Sequence, residues 1–257
     1  MAATSRIDPM HQFQIHPLGG TLDGSPFVFT NSALWMLVVL ALIWLFMLGG
    51  MKRQLVPGRW QVAVEGMTGF VESMLSSSVG PEGRKYLPWV FTIFMFILFA
   101  NLLGMMPLAL VGAQPFTVTS QFTVTGVMAI ISFSIVLITG FWRHGLHFFS
   151  LFVPQGTPFV LKLLIVPIEF VSFMVRPFSL ALRLFVAMIA GHILVEVFGS
   201  FVVSGINAGG AMGPAISLLS FVFIVGVMAL ELLVCAIQAY VFALLTSLYI
   251  NDAVNLH

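Results

Sequence analysis

Long apolar runs dominate the chain, and their lengths give the first prediction. Residues 27–50, 88–112 and 122–142 contain no Asp, Glu, Lys or Arg. Each run has roughly the 20 residues that an α-helix needs to cross the hydrocarbon core of a bilayer. We therefore expect three membrane-spanning helices in the first 142 residues.

Residues 59–80 follow a different pattern. Apolar side chains recur at spacings of four and three from Trp60 to Met74, while Glu65 and Glu72 fall on another face. This periodicity is typical of an amphipathic helix that lies in the membrane interface instead of crossing the bilayer.

Two apolar stretches near the C-terminus are too long for ordinary spans. The stretches Phe159 to Ser204 and Ala215 to Ile250, joined by a glycine-rich turn, would be roughly 70 and 50 Å long as helices. A bilayer core is about 30 Å thick. Each stretch is therefore either two spans or one steeply tilted helix, and average tilts of about 20° mean that strong tilting requires a packing partner.

Composition supports a membrane protein. Hydrophobic residues make up 60% of the 257 residues, and charged residues only 7%, against roughly 25% in soluble domains. We predict an all-α integral membrane protein with an N-terminal tail (1–26) that lacks signal-peptide features, and one membrane domain (27–257). The few basic residues do not form a nucleic-acid surface, and no nucleotide-binding motif is present.

The basic residues also predict the orientation. If the N-terminus lies outside, the outer segments contain only Arg6, and seven basic residues lie in the inner segments, which is a clear positive-inside bias. These seven are Lys52, Arg53, Arg59, Arg84, Lys85, Arg143 and Lys162. The C-terminus is then also inside.

A stripe of polar residues runs along the first long stretch. Lys162, Glu169, Arg176 and Arg183 are spaced by seven, so they follow one slowly drifting helix face, and Ser172 falls near it. A charge at the bilayer centre costs about 2.5–3.5 kcal/mol or more. Lys162 and Arg176 can snorkel towards an interface, but Arg183 is too deep and cannot lose its proton. We predict a functional role for Arg183, with a structural ion pair as the alternative.

A second polar stripe follows the last stretch. Glu231 and Gln238 are seven residues apart, and Tyr249 and Asp252 continue the line at the inner end. A carboxyl group inside the membrane suits a proton relay. His192 on the other stretch gains significance if it meets Glu231. Two such stripes on neighbouring helices would line a hydrated path.

Four motifs resemble subunit a of the F-type ATP synthases, in its mitochondrial and α-proteobacterial form. They are SLALRLFVAMIAGH (179–192), NLLGMMP (101–107), FTVTS (116–120) and LELLVCAIQAYVFALLTSLY (230–249). The resemblance covers nearly the whole chain and includes Arg183, Glu231 and Gln238 in the family order. It implies about five membrane-embedded helices plus the interfacial one, with residues 158–204 and 213–251 forming a tilted hairpin against a rotating ring of c subunits.

The resemblance also implies a function. The chain would be the stationary proton-channel subunit of a rotary synthase, with Arg183 between two half-channels. It would be no enzyme by itself and would need no cofactor or nucleotide. The expected partners are the c-ring, b-type peripheral stalk subunits, other synthase subunits, protons and lipid. The outer path would involve His192, Glu231, Gln238 and Asn101, and the inner path Glu169, Ser172, and Asp252 or Tyr249. Arg176 is a further candidate for the proton path.

Two positions depart from the family pattern. Ala187 occupies a position where members usually have Asn, and Glu196 stands where no acid is expected. The alternatives are a proton-coupled secondary transporter, which would often show internal repeats, and a purely structural membrane subunit. Proton versus sodium specificity, ring size, and a bacterial plasma membrane versus a mitochondrial inner membrane all stay open.

Overall fold

Six α-helices make up nearly all of the chain that the computed structural model describes, namely residues 13–15, 17, 29–51, 58–106, 116–145, 147–148, 159–207 and 212–255. They are α1 (Asn31–Gly50), α2 (Arg59–Val79), α3 (Leu87–Met105), α4 (Phe122–His144), α5 (Phe159–Asn207) and α6 (Met212–Val254). Five helices are long and apolar enough to cross a membrane. The predicted all-α membrane class is confirmed. Most of the tail, including Arg6, lies outside the described residues, as do Lys52, Arg53 and residues 208–211.

The amphipathic helix α2 packs through the face that the sequence indicates. Val64 and Val71 are buried, whereas Glu65 and Glu72 are exposed. The indole Nε1 of Trp60 donates a hydrogen bond to the carbonyl of Phe46 at 2.9 Å and so attaches the start of α2 to α1.

The chain that connects α2 to α3 is mostly helical. Helix α2 continues to Val79, and a 3₁₀ turn covers Pro81–Tyr86 before α3 begins. Glu82 in this turn accepts hydrogen bonds from the guanidinium of Arg143 at the end of α4. The ion pair ties the start of α3 to the end of α4.

Helix α3 ends at Met105, earlier than the predicted boundary at 112. Met106 adopts an extended backbone (φ −66°, ψ 133°), as expected for the residue that precedes Pro107. Residues 107–115 lie outside the described part of the chain.

The two long stretches are two continuous helices and not four shorter ones. Helix α5 has 49 residues and α6 has 43, which correspond to about 74 and 65 Å. They run antiparallel, because Gly205 lies against Ser217 near the turn while Arg176 meets Asp252 at the other end. Helix α5 also contains Pro167 and Pro177, residues that membrane helices tolerate because neighbouring groups satisfy the freed carbonyls.

The core lies where α2 to α6 converge. Its largest fully buried side chains include Leu75, Met95, Leu184 and Phe242, from four different helices. The outward faces of α1, α5 and α6 carry many exposed Leu, Val, Ile and Phe side chains. Such faces require lipid or another chain around them.

Close packing at the turn end of the α5–α6 hairpin predicts an intolerance of side chains at Gly205. A Cβ atom there would lie 2.8 Å from the carbonyl oxygen of Gly213 and 3.0 Å from the backbone nitrogen of Ser217. Both contacts are backbone, so Gly205→Ala should destabilise the protein by about 1–3 kcal/mol. Thermal unfolding in detergent would measure it. Gly199→Ala is the matched control, since nothing lies within 4 Å of its Cβ position; equal stability of the two variants would contradict the packing.

Candidate functional site

Polar residues meet at two places along the α5–α6 interface. The first, which we call the histidine cluster, consists of His192, Glu231 and Thr117. The second, the arginine cluster, consists of Arg176, Glu169, Asp252 and Tyr249. His192 and Arg176 are 16 residues apart on α5, which places the clusters about 24 Å apart along the helix.

His192 faces Glu231 across the hairpin. Its Nδ1 lies 2.7 Å from Oε1 of Glu231, and both side chains are largely buried, with 12% and 6% exposed. The same nitrogen lies 3.0 Å from the carbonyl oxygen of Met188. The Glu231 oxygen is therefore close to the ring but receives no well-aligned hydrogen bond. Predicted proton-path residues from two helices thus form one buried pair.

The other ring nitrogen of His192 faces residues outside the hairpin. Nε2 lies 2.7 Å from Oγ1 of Thr117 and 3.2 Å from the carbonyl oxygen of Gly104. The ring of Phe13 lies 6.2 Å from the imidazole, centroid to centroid. The imidazole is thus held by α3, by the segment before α4 and by its own helix.

Two glycines make room for this cluster. A Cβ atom on Gly191 would lie 2.8 Å from Oε1 and 2.9 Å from Cδ of Glu231. A Cβ atom on Gly104 would overlap the side chain of Thr117. Both positions need the absence of a side chain for close approach, since neither glycine has a positive φ.

Asn101 lies on the α3 wall next to the histidine cluster. Its side chain is fully buried, and its Oδ1 accepts a hydrogen bond from Oγ1 of Thr119 at 2.6 Å. The Nδ2 group has no hydrogen-bond partner among the described residues. A buried amide with unused donors is a place where a bound water fits.

The arginine cluster is an ion-pair network. Nη1 of Arg176 donates to Oδ2 of Asp252 at 2.7 Å, and Nη2 lies 3.7 Å from Oε1 of Glu169. The guanidinium also lies 5.1 Å from the centre of the Tyr249 ring. Arg176 is therefore neutralised within the chain, so the snorkelling interpretation does not describe its position.

Arg183 lies between the two clusters and behaves differently. Its side chain is exposed on the outer surface of α5. It makes no hydrogen bond or ion pair with any described residue, so the predicted alternative of a structural pair with Glu169, Glu196 or Glu231 is wrong. Glu169 lies near Arg176, and Glu231 lies near His192. Arg183 is nine residues from His192 and seven from Arg176, or about 13 and 10 Å along the helix.

The remaining predicted residues do not join a cluster. Gln238 is half-buried one helical repeat after Glu231, and Ser172 is exposed on α5; neither makes a hydrogen bond within the described part of the chain. Ala187 is half-buried one turn after Arg183, and Glu196 is half-buried one turn after His192.

Sequence reasoning missed Thr117 and Thr119 as contact residues. Their run FTVTS supports the resemblance, but its residues lie 75 positions from His192 and 18 from Asn101. The sequence feature that could have indicated these contacts is the position of the Thr-containing run FTVTS directly after the second apolar stretch.

Comparisons with known proteins agree with the resemblance. Residues 32–251 match the family described as ATP synthase A chain. Similar relatives include proteins named ATP synthase subunit a from Sphingopyxis alaskensis, 66% identical over 100% of both chains, and from Zymomonas mobilis, 56% identical over 100% of both. A protein of the same name from Mesorhizobium japonicum is 48% identical over 98% of both chains.

Proposed function

Because this chain belongs to the ATP synthase subunit a family, we propose that it is the stationary proton-channel subunit in the membrane sector of a rotary F-type ATP synthase. In this role it works with other synthase subunits and is not an enzyme by itself. Family membership favours this function over a secondary transporter. The residue roles that follow are part of the proposal.

The mechanism rests on the exposed guanidinium of Arg183, which has no ion pair with any residue in the described part of the chain. It is a permanent cation on an apolar helix face, with exposed Val186 one turn away. Lipid around this charge would cost several kcal/mol. A second chain must therefore supply an anion here, and a carboxylate on a ring of c subunits meets that need.

The two clusters then belong to two separate half-channels. The histidine cluster, with Asn101 and Gln238, lies towards the α5–α6 turn and would give access from the outer side. The arginine cluster, with Ser172, lies towards the C-terminus of α6 and would give access from the inner side. Arg183 stands between them, where its charge repels a proton that crosses directly.

Rotation follows from the cost of charge in lipid. A proton from the outer path neutralises a ring carboxylate, and the neutral group can turn into the lipid without the penalty that an ionised one would meet. After nearly a full turn it releases the proton to the inner path. Arg183 stabilises the ionised form between these events. The membrane potential contributes about 2.3 kcal/mol per proton for each 100 mV.

Small residues beside Arg183 suit a moving partner. Ala190 is exposed and Ala187 is half-buried on the same helix, and small side chains allow close helix approach in membranes. The steep tilt of the α5–α6 hairpin would place the length of both helices along the ring.

Location and orientation follow from the charge bias and the relatives. The similar proteins come from bacteria, which favours the bacterial plasma membrane, with the N-terminus outside and the C-terminus inside. The amphipathic helix α2 would lie at the inner interface. Peripheral stalk subunits would contact the apolar faces away from the ring.

Arg183→Ala tests the proposal, and we expect it to abolish ATP-driven acidification of inverted vesicles while the complex stays assembled. Arg183→Lys should also fail, because a point charge that can lose its proton does not replace a guanidinium. Arg84→Ala is the control, since Arg84 is exposed and only loosely paired with Glu72 at 3.7 Å. Acidification that persists in an intact Arg183→Ala complex would refute the coupling role.

Glu231→Gln keeps the shape of the side chain but cannot carry a proton. Proton pumping should fall by roughly 100-fold, the lower end for losing a positioned acid–base group. The pH profile of the residual rate should also differ from that of wild type, because His192 would be the titratable group that remains in the pair. Pumping measured between about pH 6 and 8, with exposed Glu65→Gln as control, checks this. A rate equal to wild type at every pH would remove Glu231 from the path.

Ala187→Asn introduces the residue that family members usually carry at this position. Half-buried Ala187 has space for the larger side chain, so pumping should stay within about twofold of wild type. Fully buried Ala181 on the same helix provides the contrast, since Ala181→Asn overpacks the core. Assembly and pumping of both variants would be measured; loss of assembly in Ala187→Asn would show that the ring needs the small residue.

A further inference from the structure

Four oxygen atoms surround the imidazole of His192, and their chemistry restricts where its protons lie. Nε2 faces the carbonyl oxygen of Gly104 at 3.2 Å as well as Oγ1 of Thr117 at 2.7 Å. A carbonyl oxygen accepts but cannot donate. An unprotonated Nε2 would therefore place its lone pair against that of Gly104, so Nε2 carries a proton.

The exchangeable proton is consequently the one at Nδ1. This nitrogen lies between the carbonyl oxygen of Met188 at 3.0 Å and Oε1 of Glu231 at 2.7 Å. Two protonation states place one proton between Nδ1 and the acid. In the first, an imidazolium lies beside a carboxylate, and Nδ1–H can donate to the Met188 carbonyl or to Glu231. In the second, a ring protonated only at Nε2 lies beside a carboxylic acid, whose O–H donates to Nδ1 while the Met188 carbonyl receives no proton from the ring. The N–H bond at Nδ1 breaks as the O–H bond at Oε1 forms, and the total charge of the pair does not change.

We propose that Thr117 is a positioning residue that keeps Nε2 protonated and turns Nδ1 towards Glu231. Its hydroxyl makes the shorter of the two Nε2 contacts. Gly104 permits this contact, because a Cβ atom there would overlap the Thr117 side chain. Because the Gly104 carbonyl requires a proton on Nε2, the Thr117 hydroxyl accepts from Nε2–H and fixes the ring with Nδ1 towards the acid.

The segment around Thr117 is itself held in place. Ser120 donates from Oγ to the carbonyl of Thr117 at 2.6 Å, and Thr119 donates to buried Asn101. Thr117 has only 3% of its surface exposed. The 3₁₀ turn Val118–Ser120 therefore connects the imidazole rigidly to α3.

Few charged groups compete for the His192 proton. Glu231 faces it from α6, together with the thiol of Cys235 one turn further along that helix, and Glu196 follows one turn later on α5. Helix α3, the segment 116–121 and residues 13–15 contain no charged or titratable side chain. A change in the pH dependence of pumping after substitution of Thr117 thus reports on the His192–Glu231 pair.

Thr117→Val removes the hydroxyl and keeps the shape. This inference rests on the proposed function, so the test uses ATP-driven pumping by the intact complex. We expect a loss of roughly fivefold, the effect of one hydrogen bond. The pH profile of pumping should also change, because the hydroxyl that contacts Nε2 of His192 is removed. Thr117→Ser should retain a rate within about twofold of wild type.

A double-mutant cycle separates positioning from general damage. Thr117→Val should slow pumping no further in a His192→Asn background, since its effect passes through the imidazole. Thr125→Val is the matched control: Thr125 is equally buried but bonds only to backbone carbonyls of its own helix end. That variant should keep the wild-type rate and pH profile.

The outcomes that overturn the inference are distinct from those that overturn the proposed function. Thr117→Val with a wild-type rate and pH profile, Thr117→Ser as defective as Thr117→Val, or full additivity with His192→Asn would each refute positioning by Thr117. In those cases, loss of pumping in Arg183→Ala would leave the proposed function standing. Pumping that persists in Arg183→Ala would instead refute the proposed function.

Discussion

A permanent positive charge on an outward-facing membrane helix is the constraint on which the rest of this structure depends. Arg183 is exposed on α5 without a partner among the described residues, and its guanidinium does not lose its proton at any physiological pH. In lipid alone such a group is unfavourable by several kcal/mol. This cost is why the proposed function assigns an anionic group from a neighbouring chain to the surface around Arg183.

The ion pairs of the two polar clusters explain why Arg183 is left without a partner in the part of the chain that the structure describes. Arg176 is neutralised by Asp252 and Glu169, while Glu231 faces His192. Glu169, Asp252 and Glu231 are thus engaged elsewhere, and Glu196 forms no ion pair with Arg183 among the described residues. The long antiparallel helices keep the clusters on either side of Arg183. In the proposed mechanism, a moving partner connects the two sides.

Much of this arrangement is predictable from local sequence patterns. The lengths of the apolar runs predict the membrane-spanning helices, and the amphipathic period predicts α2. The cost of a charge in the bilayer is what makes Arg183 a functional candidate. The contacts of Thr117 with His192 and of Thr119 with Asn101 are not predictable in this way. They join segments far apart in sequence, and a threonine in an apolar turn carries no periodic signal. The pairing of Arg176 with Asp252 is not predictable for the same reason. Both residues lie on polar stripes, but only the packing of α5 against α6 decides which residues of the two stripes meet.

The most direct test of the role of Arg183 is a structure of the intact complex in a lipid membrane, in which the groups around Arg183 are identified. If Arg183 is neutralised by another subunit, a carboxylate of that subunit should lie within about 4 Å of the Arg183 guanidinium in the ion-paired state. The pairs His192–Glu231 and Arg176–Asp252 should remain within this chain. An Arg183 guanidinium surrounded by acyl chains, or paired with Glu196 inside its own chain, would contradict the proposed role of Arg183.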